Sequence, residues 1–130
     1  MTRSLSLKNA LTLLRIGLAV VFLAHALVRL ANGTIPRFGQ FLETKGLPAG
    51  VMLVYVLTAF EIVGSLLLLA GRYVRWVSAG FIGILLVGIV LIHASLGWFV
   101  GEHGTGGTEY SFVLIICFVV VAAADGDKRA

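Results

Sequence analysis

The chain has 130 residues, 59% of them hydrophobic and only 12% charged, with a formal net charge of +4 and a mean hydropathy of +1.05. A soluble domain of this size has too little interior to hide so much apolar surface, so lipid is the solvent for most of it and a water-soluble module is excluded. The basic residues sit between apolar stretches and form no stripe, which argues against nucleic acid and for cations flanking membrane spans.

In chain order, Arg3 and Lys8 precede an apolar run that resembles a signal peptide. The run passes Leu23 without a small-residue cleavage site and reaches His25 and Arg29, so it reads as a retained first helix over residues 10–30. The connection 31–50 is long for a bare loop. Thr34 as a cap, Pro36 in the first turn, an apolar face of Phe38, Phe41 and Leu42, and Gly46 as a stop predict a short amphipathic helix on the outer membrane surface. The second span covers 51–70, and the tight turn at 71–75 makes it an antiparallel neighbour of the third span, 76–96. Each holds about 20 residues, which at 1.5 Å per residue matches a hydrocarbon core about 30 Å thick.

A glycine-rich connection, 97–108, carries Glu102 and His103. The last apolar run, 110–124, is only about 15 residues long and reaches back to 108 or thins the bilayer locally. Tyr73, Trp76, Trp98 and Tyr110 fall at segment ends, where amphipathic rings prefer the interface. The expected fold is an all-α membrane protein: a single domain over 1–130, formed by a four-helix antiparallel transmembrane bundle with spans 10–30, 51–70, 76–96 and 108–124 and a short amphipathic surface helix after the first. Six basic residues (Arg3, Lys8, Arg72, Arg75, Lys128, Arg129) lie on one side and three (Arg29, Arg37, Lys45) on the other, so both termini are expected in the cytoplasm.

Several polar residues fall inside these spans. Arg15 lies close enough to the cytoplasmic face to snorkel out as an anchor. Glu61 sits near the middle of the second span, where a charge costs roughly 2.5–3.5 kcal/mol. It must be either neutral and hydrogen-bonded or paired, with a partner expected on the first or third helix. His25 and Arg29 share a face of the first helix at spacing i, i+4. His93 lies near the outer end of the third span, and Glu109 opens the fourth. Their common depth predicts one polar pocket in the outer half of the bundle, lined by His25, Arg29, Glu61, His93 and Glu109, with the helix around 38–42 as a lid. Gly80, Gly83 and Gly88 on the third span read as close helix packing. Cys117, the single cysteine, excludes an internal disulfide, a CxxC pair and cysteine-based metal sites. No phosphate loop, HExxH or carboxylate pair at metal spacing is present, and no metal site is expected.

The stretches LLRIGLAVVFLAHALVRL and FEIVGSLLLLAGRYVR, His93 in IHASLGW, and GGTEYSF together resemble the DoxX family of small four-helix membrane proteins. Two positions depart from the family pattern: Ala26 stands where a glycine commonly follows the first-helix histidine, and Ser65 where a second glycine commonly follows Gly64. The resemblance implies association with quinone-linked redox systems in a prokaryotic cytoplasmic membrane. It also maps the recurrent polar motif onto His25, Arg29, Glu61, His93 and Glu109.

Three functions from different classes follow. In the first, the chain is a membrane subunit or partner of a quinone-linked oxidoreductase, with Arg29 or His25 donating to a quinone oxygen and Glu61 or Glu109 exchanging protons. No electron carrier is visible in the sequence, so this reading needs a redox partner protein. In the second, the chain is a non-catalytic component that binds lipid or stabilises a larger assembly, such as a homo-oligomer, and the polar cluster holds the helices together. In the third, His25 and His93 ligate a b-type haem.

Overall fold

The computed structural model describes residues 4–101 and 107–129, without the side chains of residues 128 and 129. Arg3, Glu102 and His103 lie outside the described residues. Five helices follow one another: α1 (Leu7–Ala31), α2 (Ile35–Thr44), α3 (Gly50–Ala70), α4 (Val74–Gly88) and α5 (Glu109–Arg129). No strand occurs among the described residues. Among the described residues, four helical stretches are long and apolar enough to cross a membrane: Leu7–Ala31, Gly50–Ala70, Val74–Leu96 and Glu109–Asp127.

Local chemistry sets the boundaries. Ser6 is extended and its Oγ accepts the Asn9 N–H at 3.2 Å, which starts α1 three residues earlier than hydropathy alone suggests. α1 stops at Gly33, whose φ of +62° suits a residue without a Cβ. Thr34 does not cap α2 with its side chain, contrary to expectation; its hydroxyl instead approaches the Arg29 carbonyl at 3.5 Å. The fourth span also differs from expectation. Its helix continues past Ala124 to Arg129, so a 19-residue span to Asp127 needs no thinned bilayer.

α4 does not run regularly to its end. The Ala94 N–H donates to the Ile89 carbonyl five residues back, forming a π turn over Ile89–His93, followed by a 3-10 turn over Ala94–Leu96. Hydropathy detects such a span but not the extra residue wound into it.

The spanning helices form a ring in which α1 packs on α3 and α5, and α4 packs on α3 and α5. The main core lies in the half of the bundle where α1 begins and α5 finishes. There the rings of Phe22, Phe60, Phe81 and Phe118 gather, with Phe81 and Phe118 stacked at 5.2 Å and 12°. Arg15 also belongs to this end. Its guanidinium occupies the space beside Gly71 where a Cβ would stand, so it reaches the carboxyl end of α3, where a cation is favoured. That is the bundle end toward which the expected anchor snorkels. Tyr73, Trp76, Trp98 and Tyr110 are all exposed, as residues of an interfacial belt should be.

At the other end α2 packs against the start of α3 and does not merely lie on a surface. Its buried face is Ile35, Gly39 and Leu42 with Phe38 partly covered, a spacing of i, i+3, i+4, i+7. Phe41, expected on that face, is exposed beneath the Lys45 ammonium at 5.5 Å. Gly39 and Gly50 bring the two backbones into direct contact: a Cβ on either would collide with backbone atoms of the other segment. The Glu43 carboxylate accepts the Gly50 N–H at 3.1 Å, supplying the first turn of α3 with the acceptor that Ala49 cannot provide.

Candidate functional site

α3 and α4 are joined by a tight turn at Gly71 and Tyr73, and their packing is close only near that turn. A Cβ on Gly64 would touch Val77 and Phe81, and one on Gly80 would strike the Phe60 ring. Toward α2 the two helices separate and enclose a cleft of about 630 Å³. Leu53 and Leu57 of α3 line one side, and Gly83, Ile84, Val87 and Gly88 of α4 with Leu91 and Ile92 of the π turn line the other. Phe38, Leu42 and Leu47 form the roof.

Gly83 corrects the packing reading of the third-span glycines. A Cβ there would meet nothing within 4 Å, so this glycine faces the cleft and no helix. Gly88 is nearly as open, with only the His93 ring 3.9 Å from where its Cβ would stand. Gly80 alone of the three makes the tight contact expected. The sequence carries no signal that separates a glycine emptied for packing from one emptied for a cavity.

The polar wall of the cleft is Arg29 and Glu61. Arg29 stands in the last turn of α1, and its long side chain turns back into the bundle. Its Nη1 donates to Glu61 Oε2 and to Thr58 Oγ1, each at 2.9 Å. The Thr58 hydroxyl spends its own proton on the Val54 carbonyl at 2.7 Å, so toward Arg29 it is an acceptor only. The Arg29 guanidinium also lies 5.6 Å from the centre of the Phe38 ring. The side chains of Arg29 and Glu61 are 15% and 4% exposed, so the pair is shielded from water and from most lipid. Glu61 thus finds its partner on the first helix, one of the two expected sources.

Of the five residues expected to share a pocket, these two line the cleft. His25 is exposed on α1 outside the cleft lining, its ring 6.5 Å from that of Phe22. His93 lies in the π turn against Gly88, with a buried Nδ1 that has no hydrogen-bond partner among the described residues. Neither His25 nor His93 lines the cleft. Glu109 serves the connection before α5: its Oε1 accepts the Val100 N–H at 2.9 Å while its own N–H donates to the Trp98 carbonyl at 2.9 Å. Thr58 and Gly83 are the site residues that sequence reasoning missed.

The DoxX family model covers residues 10–94, which include most of α1, all of α2 to α4, Arg29 and Glu61. The chain belongs to the DoxX family. The DoxX match ends before GGTEYSF, so Glu109 and α5 fall outside it. No curated protein and no solved structure matches the chain.

Proposed function

We propose that this DoxX-family membrane protein is a subunit or partner of a quinone-linked oxidoreductase system, and that its cleft holds a quinone headgroup against Arg29 and Glu61. One observation carries the reading: a buried, charge-neutral ion pair faces a cavity that is otherwise apolar. A volume of about 630 Å³ falls within the range of small-molecule sites, which combine apolar walls with a few convergent polar groups. Arg29 supplies the donors for a ring oxygen, Glu61 an acceptor beside them, and the leucine and isoleucine side chains a wall for an apolar tail. Bound quinone would carry the electrons, exchanged with a partner protein.

A scaffold role uses the same pair differently, because Arg29 also ties α1 to α3. Gly83→Leu separates the two readings. The new side chain enters open space, so the bundle should keep its helicity and melting temperature, whereas it fills the cleft. Titration of a short-chain benzoquinone into the protein in nanodiscs should show saturable binding that weakens at least tenfold in this variant. Binding that is absent, or indifferent to the substitution, favours the scaffold.

The proposed location is a prokaryotic cytoplasmic membrane with both termini inside. Lys45→Cys and Ser4→Cys, each made in a Cys117→Ser background, place single thiols at exposed positions at opposite ends of the bundle. A membrane-impermeant maleimide added to intact cells should label residue 45 and spare residue 4. The reverse pattern inverts the topology.

A further inference from the structure

This inference rests on the cleft being a headgroup site, and it concerns which headgroup fits. Two opposite hydrogen-bonding functions meet at the polar wall. Arg29 commits Nη1 to Thr58 and Glu61, and its Nε–H and Nη2–H groups make no hydrogen bond among the described residues. Glu61 commits Oε2 to Arg29, and its Oε1 makes no hydrogen bond among the described residues. Unpaired donors and an unpaired carboxylate oxygen therefore stand side by side in a cavity with few other polar groups.

Three kinds of headgroup answer this wall differently. A phosphate satisfies Arg29 but sets a second anion beside Glu61, where a low dielectric magnifies the repulsion. A ketone oxygen accepts from Arg29 and offers Glu61 Oε1 only a lone pair, so one acceptor faces another. A hydroxyl serves both, since its oxygen accepts from the guanidinium and its proton is donated to Oε1. The Arg29 charge is already balanced by Glu61, so the headgroup need bring none. We infer that the cleft selects an uncharged, hydroxyl-bearing headgroup, and that within a quinone couple Glu61 makes it favour the reduced quinol. Thr58 holds the guanidinium in place but cannot substitute for Glu61, because its proton is committed to Val54.

The test compares a decyl-substituted benzoquinol with its benzoquinone, titrated anaerobically into the full chain in zwitterionic nanodiscs, with phosphatidic acid as competitor. A hydrogen bond to a charged acceptor predicts quinol binding about tenfold tighter than quinone. Glu61→Gln, whose amide both donates and accepts, should bring that ratio close to one, and phosphatidic acid should not displace the quinol. Quinone binding as tightly as quinol, or displacement by phosphatidic acid, overturns the selectivity while leaving the headgroup site standing. If neither form binds, or if Gly83→Leu leaves binding unchanged, the site itself is wrong and the inference falls with it. Should Glu61→Gln fail to fold, the wild-type ratio alone decides.

Discussion

Arg29→Leu is expected to destabilise the bundle by about 3–5 kcal/mol, the loss typical of a buried ion pair left with one charge. The asymmetry of the pair makes this the more damaging side. Glu61 is 4% exposed and held in the middle of α3, so without Arg29 its carboxylate is left unpaired among apolar walls. Arg29 is 15% exposed and sits in the last turn of α1, so Glu61→Leu leaves a guanidinium that can swing toward the membrane surface. That variant should lose less. The double variant Arg29→Leu/Glu61→Leu should recover most of the loss, because two apolar side chains in an apolar cavity carry no unpaired charge. Equilibrium unfolding in mixed micelles measures all three. A double variant as unstable as Arg29→Leu would mean that something other than charge pairing holds this end together.

The pair also shows how far the sequence could be read. Hydropathy finds the spans because each must be about 20 apolar residues long whatever it packs against. The cost of a mid-membrane carboxylate likewise announces that Glu61 has a partner. Depth along a helix is thus legible, whereas rotation about its axis and reach of the side chain are not. His25 and Arg29 share a face, yet it is Arg29 that hydrogen-bonds Glu61 and lines the cleft. His93 closes a π turn, which winds in a residue that hydropathy does not count. Glu109 stands at the expected level, but the Val100 N–H of the preceding connection occupies its carboxylate first. Five polar residues at one depth therefore yield a two-residue wall.

Gly39→Leu should release α2 from the bundle, with a loss of about 1–3 kcal/mol or more, since its side chain meets backbone and not a movable group. A Cβ at residue 39 would enter the backbone of Val51, and one at residue 50 would enter the Gly39 carbonyl, so neither helix can give way without lifting from the other. Lifting uncovers Ile35 and Leu42, each now under 10% exposed, and separates Glu43 from the Gly50 N–H. It also removes Phe38 from the Arg29 guanidinium and opens the roof of the cleft. Hydrogen exchange should accelerate at least tenfold across residues 35–44 while the spanning helices stay protected. Gly83→Ala supplies the contrast. With nothing within 4 Å of its Cβ, it should hold or gain up to about 1 kcal/mol from the better helix former. Unchanged exchange in α2 of Gly39→Leu would mean that the contact yields, and the helix expected to act as a lid could then move as one. Accelerated exchange would identify it as a fixed roof, leaving the gap between α3 and α4 as the way into the cleft.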